Sequence, residues 1–191
     1  MTAQDQEPGA AADRHVGLPA KQPISVLAGR YGHPLHPVLV PVPIGAWVAA
    51  LVFDVASHVA TDGGFLVRAA YWLVALGVLG ALAAALLGFL DLLVIPGATR
   101  VYRVALLHLS VNLVVTTVFG VELALRKDSA DPAGTPWWLV VLTAVALGGL
   151  AVGGYLGGEL AYRYGVRVAD ETTQAEGYRP RHNGGRRSRW T

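Results

Sequence analysis

Four stretches of this chain are too long and too apolar to be ordinary helices of a soluble protein. Residues 69–90 and Trp137–Gly158 each run for 22 residues without a charge. Residues 104–121 run for 18 with His108 as their single ionisable member, and residues 38–60 run for 23 interrupted by Asp54 and His58. A hydrocarbon core of ~30 Å takes ~20 helical residues to cross, so each stretch is long enough to span it. Buried helices of soluble proteins are shorter and are flanked by amphipathic ones. The fold expected is therefore all-α: a polytopic membrane protein with a four-transmembrane-helix bundle and disordered polar termini. Composition points the same way, with 53% of the residues hydrophobic and only 15% charged.

The expected organisation is a disordered N-terminal tail over 1–29, a transmembrane domain over 30–168 and a disordered basic tail over 169–191. Both tails lack apolar periodicity and are rich in Gly, Pro, Ala and charge. The closing "RPRHNGGRRSR" suits either attraction to anionic lipid or an ordinary solvated tail. No secretory signal is visible, because the first apolar run is itself a candidate span. The absence of cysteine excludes disulfides, thiolate-held iron–sulfur clusters and covalently attached c-type haem. No nucleic-acid partner is expected.

Four spans place both termini and the loop between the second and third on one side. That side carries twelve basic residues: Arg14, Lys21, Arg30, Arg100, Arg103, Arg163, Arg167, Arg179, Arg181, Arg186, Arg187 and Arg189. The other side carries three: Arg68, Arg126 and Lys127. The positive-inside rule then makes both termini cytoplasmic in a bacterial inner membrane. Trp47, Trp72, Trp137 and Trp138 fall near span ends, where amphipathic rings favour the interface.

In the second span Gly80, Ala84 and Gly88 are spaced by four, and Asp91 follows three later. All four lie within ~40° of the direction of Ala84 on a 3.6-residue helix, an arc of ~80°. Gly149, Gly153 and Gly157 form a second such stripe. Small residues at this spacing mark close helix contact in lipid, so Asp91 points into the bundle. The third span places His108, Asn112, Val115, Phe119 and Glu122 on one face, and the first places Trp47, Ala50, Asp54 and His58 together. Ionisable groups cost ~2.5–3.5 kcal/mol at mid-bilayer on insertion scales, so these should face one another. Topology gathers them by depth: His33, His36, Asp91, His108 and Asn112 toward the cytoplasmic end, Asp54, His58 and Glu122 toward the other.

The segment "GHPLHP" at 32–37 puts two histidines at the head of the first span. His36 and His108 are a candidate axial pair for haem b, which needs imidazole nitrogens from facing helices and an apolar slot. Asp91 or Asn112 would then fix an imidazole from behind. A non-haem metal held by His33, His36, His108 and Asp91 is an alternative. So is a purely structural role, in which the rings serve backbone groups freed by Pro34, Pro37, Pro41 and Pro43, and Asp91 with His108 holds the bundle in register.

"GHPLHPVLVPVPIGAWVAALVFD", "AALLGFLDLL", "LLHLSVNL" and "GGYLGGELAYRYGVRV" together resemble the bacterial membrane proteins of domain of unknown function 2231. The resemblance covers residues 30–168 and implies a four-helix membrane domain without an established activity. It matches the family at His33, His36, Asp54, Asp91, His108, Asn112, Gly157, Gly158 and Tyr162. Some relatives resemble fusions to a Rieske iron–sulfur domain, which implies redox traffic. This chain instead ends in an arginine-rich tail.

Three functions follow from these residues. The first is a buried His/Asp site for haem b or a His-ligated metal, linked to electron transfer, with the bilayer, a redox partner protein and self-association as its contacts. The second is a non-catalytic scaffold or assembly partner. The third is proton or ion passage along Asp54, Glu122, His108 and Asp91. An enzyme has little support, since there is no nucleophile–base pair, phosphate loop or metalloprotease pattern.

Overall fold

The computed structural model describes residues 18–126 and 134–178. Four helices are long and apolar enough to cross a membrane: His36–Ala56, Gly63–Leu92, Arg100–Arg126 and Trp137–Arg163. The first is two pieces, His36–Leu39 and Pro41–Ala56, joined at Val40. Pro41 and Pro43 have no N–H to give, which explains the interruption. Pro37 falls in the first turn, where no intrahelical donor is needed. Each span packs on its neighbours in sequence, and the fourth closes back on the first. The large apolar side chains on the outside, such as Leu79, Leu86, Val114 and Val152, are exposed. Contiguous exposed apolar surface on this scale marks a lipid-facing exterior rather than a watery one.

The inner faces follow the small-residue stripes. A Cβ on Gly80 would lie 2.8 Å from Val42, and one on Gly77 would collide with the Trp47 indole. On the fourth span, a Cβ on Gly149 would lie 2.9 Å from Val115 and one on Gly153 2.7 Å from Asn112. The glycines thus let the first span seat on the second and the third on the fourth. The centre is a layer of Trp47, Ala50, Ala70, Val74, Val115, Phe119 and Ala146. Trp47 is only 1% exposed, which corrects its assignment to the membrane interface; Trp72, Trp137 and Trp138 are exposed. The indole instead lies flat on Phe119 at 4.0 Å, and its N–H donates to the Val74 carbonyl at 3.3 Å.

Segments on both sides of the tail boundaries expected at residues 29 and 169 build a cap over the end where the first and third spans begin. Residues 18–35 contribute the short helix Leu18–Lys21 and a two-residue antiparallel hairpin pairing Gly29 with Pro34 and Arg30 with His33. Gly29 (φ 92°) and Gly32 (φ 73°) take the left-handed conformations this tight reversal needs. After the fourth span, Arg167 is held at φ 59° with its side chain buried. Its N–H donates to the Ala20 carbonyl at 2.9 Å, Nη2 to the Ala28 carbonyl at 2.8 Å, and Nε lies 2.7 Å from Asp91 Oδ1. Tyr31 adds a second tie, its hydroxyl donating to Asp170 at 2.7 Å. The Thr173 amide, with that hydroxyl behind it, holds the Asp170 carboxyl below its ordinary pKa. Asp170 also caps the helix Glu171–Glu176. The expected disorder of residues 1–17 and 179–191 lies outside the described residues.

Adjacent glycines supply a test of the packing. Gly153 faces Asn112, whereas a Cβ on Gly154 would meet nothing within 4 Å. Gly153→Leu should destabilise the protein in detergent by about 1–3 kcal/mol through overpacking, and Gly154→Leu by much less. Equal losses in thermal unfolding would show that the stripe is no interface.

Candidate functional site

The first and third spans meet across the bundle in three layers. At the capped end His36 faces His108, with ring centroids 6.3 Å apart and planes at 88°. His36 Nδ1 lies 2.7 Å from the Ala84 carbonyl oxygen, and His108 Nδ1 lies 2.9 Å from that of Gly153. A carbonyl only accepts, so each ring must carry its proton on Nδ1. Asn112 Nδ2 is 3.3 Å from His108 Nδ1 but makes its shorter bond, 2.8 Å, to the His108 carbonyl. Both imidazoles therefore carry Nδ1–H, which in the neutral ring leaves the lone pair on Nε2, and among the described residues neither Nε2 has a hydrogen-bond partner. Each ring rests on a glycine of the helix behind it. A Cβ on Gly88 would lie 3.0 Å from the His36 ring, and one on Gly157 3.0 Å from the His108 ring.

The rest of the expected inner set is not gathered here. His33 is exposed on the hairpin, its Nδ1 3.4 Å from the Tyr31 carbonyl. Asp91 points into the protein but pairs with Arg167 rather than with an imidazole. The groups fixing the two rings are backbone carbonyls, so neither Asp91 nor Asn112 accepts from an imidazole. Among the described residues no three His, Cys, Asp or Glu side chains form a metal-holding group. The four-ligand metal site of His33, His36, His108 and Asp91 is therefore not formed.

The middle layer is the Trp47–Phe119 stack and its apolar surround. It interrupts the supposed column from Asp54 and Glu122 to His108 and Asp91, and the reading of ion passage loses its continuous polar path.

The far layer is a charge network centred on Arg126. Its Nη1 and Nη2 donate to the two Asp54 oxygens at 2.8 and 2.5 Å, and its Nε donates to Glu122 Oε1 at 2.9 Å. Thr143 adds a bond to Glu122 Oε1 at 2.6 Å, and Thr135 one to Asp54 Oδ1 at 2.7 Å. Ser57 Oγ accepts from the Thr135 amide at 3.0 Å. Asp54, Glu122 and Arg126 are buried. His58 stands apart from them, stacked on Trp137 at 4.1 Å. Arg126, Thr135 and Thr143 are missing from the sequence-based set. The spacing of Glu122 and Arg126, one helical turn, is the signal that would have found the first.

Breaking this network should be more harmful than deleting it. Arg126→Met leaves two carboxylates facing each other and should cost about 3–5 kcal/mol. Adding Asp54→Asn and Glu122→Gln should recover most of that loss in thermal unfolding. If the triple variant is no more stable than the single one, the network does not act as a charge-balanced unit.

No curated protein matches the chain, and no solved structure matches it. A family model matches residues 32–170, which takes in all four spans and the three layers they build. The chain belongs to the family described as predicted membrane protein, domain of unknown function 2231.

Proposed function

We propose that this protein is a haem b carrier of the bacterial inner membrane, working in one-electron transfer, in which His36 and His108 would hold the haem. The observation that carries this reading is the facing imidazole pair, each ring anchored through Nδ1 to a backbone carbonyl. That anchor fixes the tautomer and orients the ring, as it does for metal-bound histidine generally. The two rings stand close enough for one bound group to reach both imidazoles. The observed centroid separation is 6.3 Å. Two nitrogens alone do not complete a zinc-type site, which takes at least three protein ligands. A haem brings the other four donors itself, so a two-histidine site suits it. When bound, its iron would exchange single electrons, and the chain's own residues would hold the ring system, set the ligand orientation and keep water away through the apolar middle layer.

A second reading is a non-catalytic scaffold. It is favoured by the same Nδ1 bonds, which satisfy one donor of each ring without any cofactor. The two readings separate in an optical spectrum. The protein purified after haem supplementation should show a Soret band with stoichiometric haem. His36→Ala and His108→Ala should each remove most of it, and the double variant should lose little more, since residues of one site do not act additively. His33→Ala, Asp91→Asn and His58→Ala should keep it. A wild-type protein without haem refutes the proposal and leaves the scaffold.

Orientation belongs to the same proposal. Arg126 and Arg167 are buried in ion pairs and so drop out of the loop-charge balance. Near the spans the bias still runs from Arg30, Arg100, Arg103 and Arg163 on one side to Arg68 and Lys127 on the other. We place the capped end, and the histidine pair with it, toward the cytoplasm. A redox partner protein would then dock from that side. Reporter fusions after Arg167 should be active in cytoplasmic assays and fusions near Asp131 in periplasmic ones. The reverse pattern would invert the bundle.

A further inference from the structure

The start of the third span carries a shallow, open depression lined by Arg100, Arg103, Val104 and Leu107. Three properties of this place act in one direction. Both arginines are exposed, and among the described residues neither guanidinium forms an ion pair or a hydrogen bond. They stand at the N-terminus of a 27-residue helix, whose dipole adds positive potential at the same point. Below them the lining turns apolar, and Leu107 continues into the exposed Val114 one face further along the span. A positive mouth above an apolar trough, at the edge of a span, is the inverse of an amphiphile with an anionic head. We infer that this depression is a binding site for one anionic phospholipid, its phosphate held by Arg100 and Arg103 and an acyl chain lying along Val104, Leu107 and Val114. Guanidinium is suited to the head group because its fork can make paired hydrogen bonds to phosphate oxygens. The inference is independent of whether the histidine pair holds a haem.

Native mass spectrometry of the detergent-purified protein, titrated with phosphatidylglycerol or phosphatidylcholine of matched chains, tests the site. The wild type should bind one phosphatidylglycerol in preference to phosphatidylcholine. Arg100→Gln with Arg103→Gln should weaken that binding about thirtyfold, on the scale of two basic residues at an anionic surface. Leu107→Trp, which fills the trough and keeps both charges, should also reduce it. Thermal unfolding of each variant in detergent confirms that the bundle is intact. Equal binding of the two lipids by the wild type would overturn the inference, as would an undiminished preference in the double arginine variant. Displacement of phosphatidylglycerol by equimolar inorganic phosphate would overturn it as well, because the site would then be one for a free anion.

Discussion

Helices in lipid gain nothing by hiding apolar surface from a solvent that is itself apolar, so they must associate through close fit and through polar contacts. Close fit here depends on glycine. Gly77 admits the Trp47 indole, Gly88 the His36 ring, Gly153 the Asn112 amide and Gly157 the His108 ring. Each of these glycines receives a side chain too large for an alanine to leave undisturbed. The stripes therefore do more than bring backbones together. They decide which side chains of the first and third spans reach the centre of the bundle and at what depth.

Polar groups at that centre are treated in opposite ways at the two ends. The far layer closes on itself except at one atom: Arg126 donates to Asp54 and Glu122, Thr135 and Thr143 donate to the same carboxylates and Ser57 to the Asp54 carbonyl, and among the described residues Glu122 Oε2 is left without a partner. A network so connected supports rigidity and register, since a buried charge left without its partner is very unfavourable. The histidine layer is half satisfied by design of its geometry. One nitrogen of each ring is tied down, and the other is left as an acceptor.

Much of this architecture was readable from the chain. Long uncharged runs marked the four spans, and i, i+4 spacing of small residues marked the faces on which they meet. The inward turn of Asp54, Asp91, His108 and Glu122 followed from the cost of placing them in hydrocarbon. What escaped depended on partners distant in sequence. Arg126 ends the third span and reads as a loop charge, until Asp54 from the first span is brought beneath it. Arg167 reads as a topological charge too, but the chain turns back after the fourth span and delivers it to Asp91. Trp47 stands close enough to a span end to look interfacial, and only the rotation of its helix against Gly77 sends it to the centre.

The stacked Trp47 and Phe119 rings also have an electrical meaning. A layer with no ionisable group and little polarisability is where a transmembrane potential drops most steeply. A charge carried across 100 mV changes in energy by about 2.3 kcal/mol. Any charge arriving or leaving at the His36–His108 end from the capped face stays on one side of that layer and crosses little of the field. Under the proposed function, an electron exchanged at that end would cross less of the field than one passing the layer, and the Arg126 network would lie on the layer's far side.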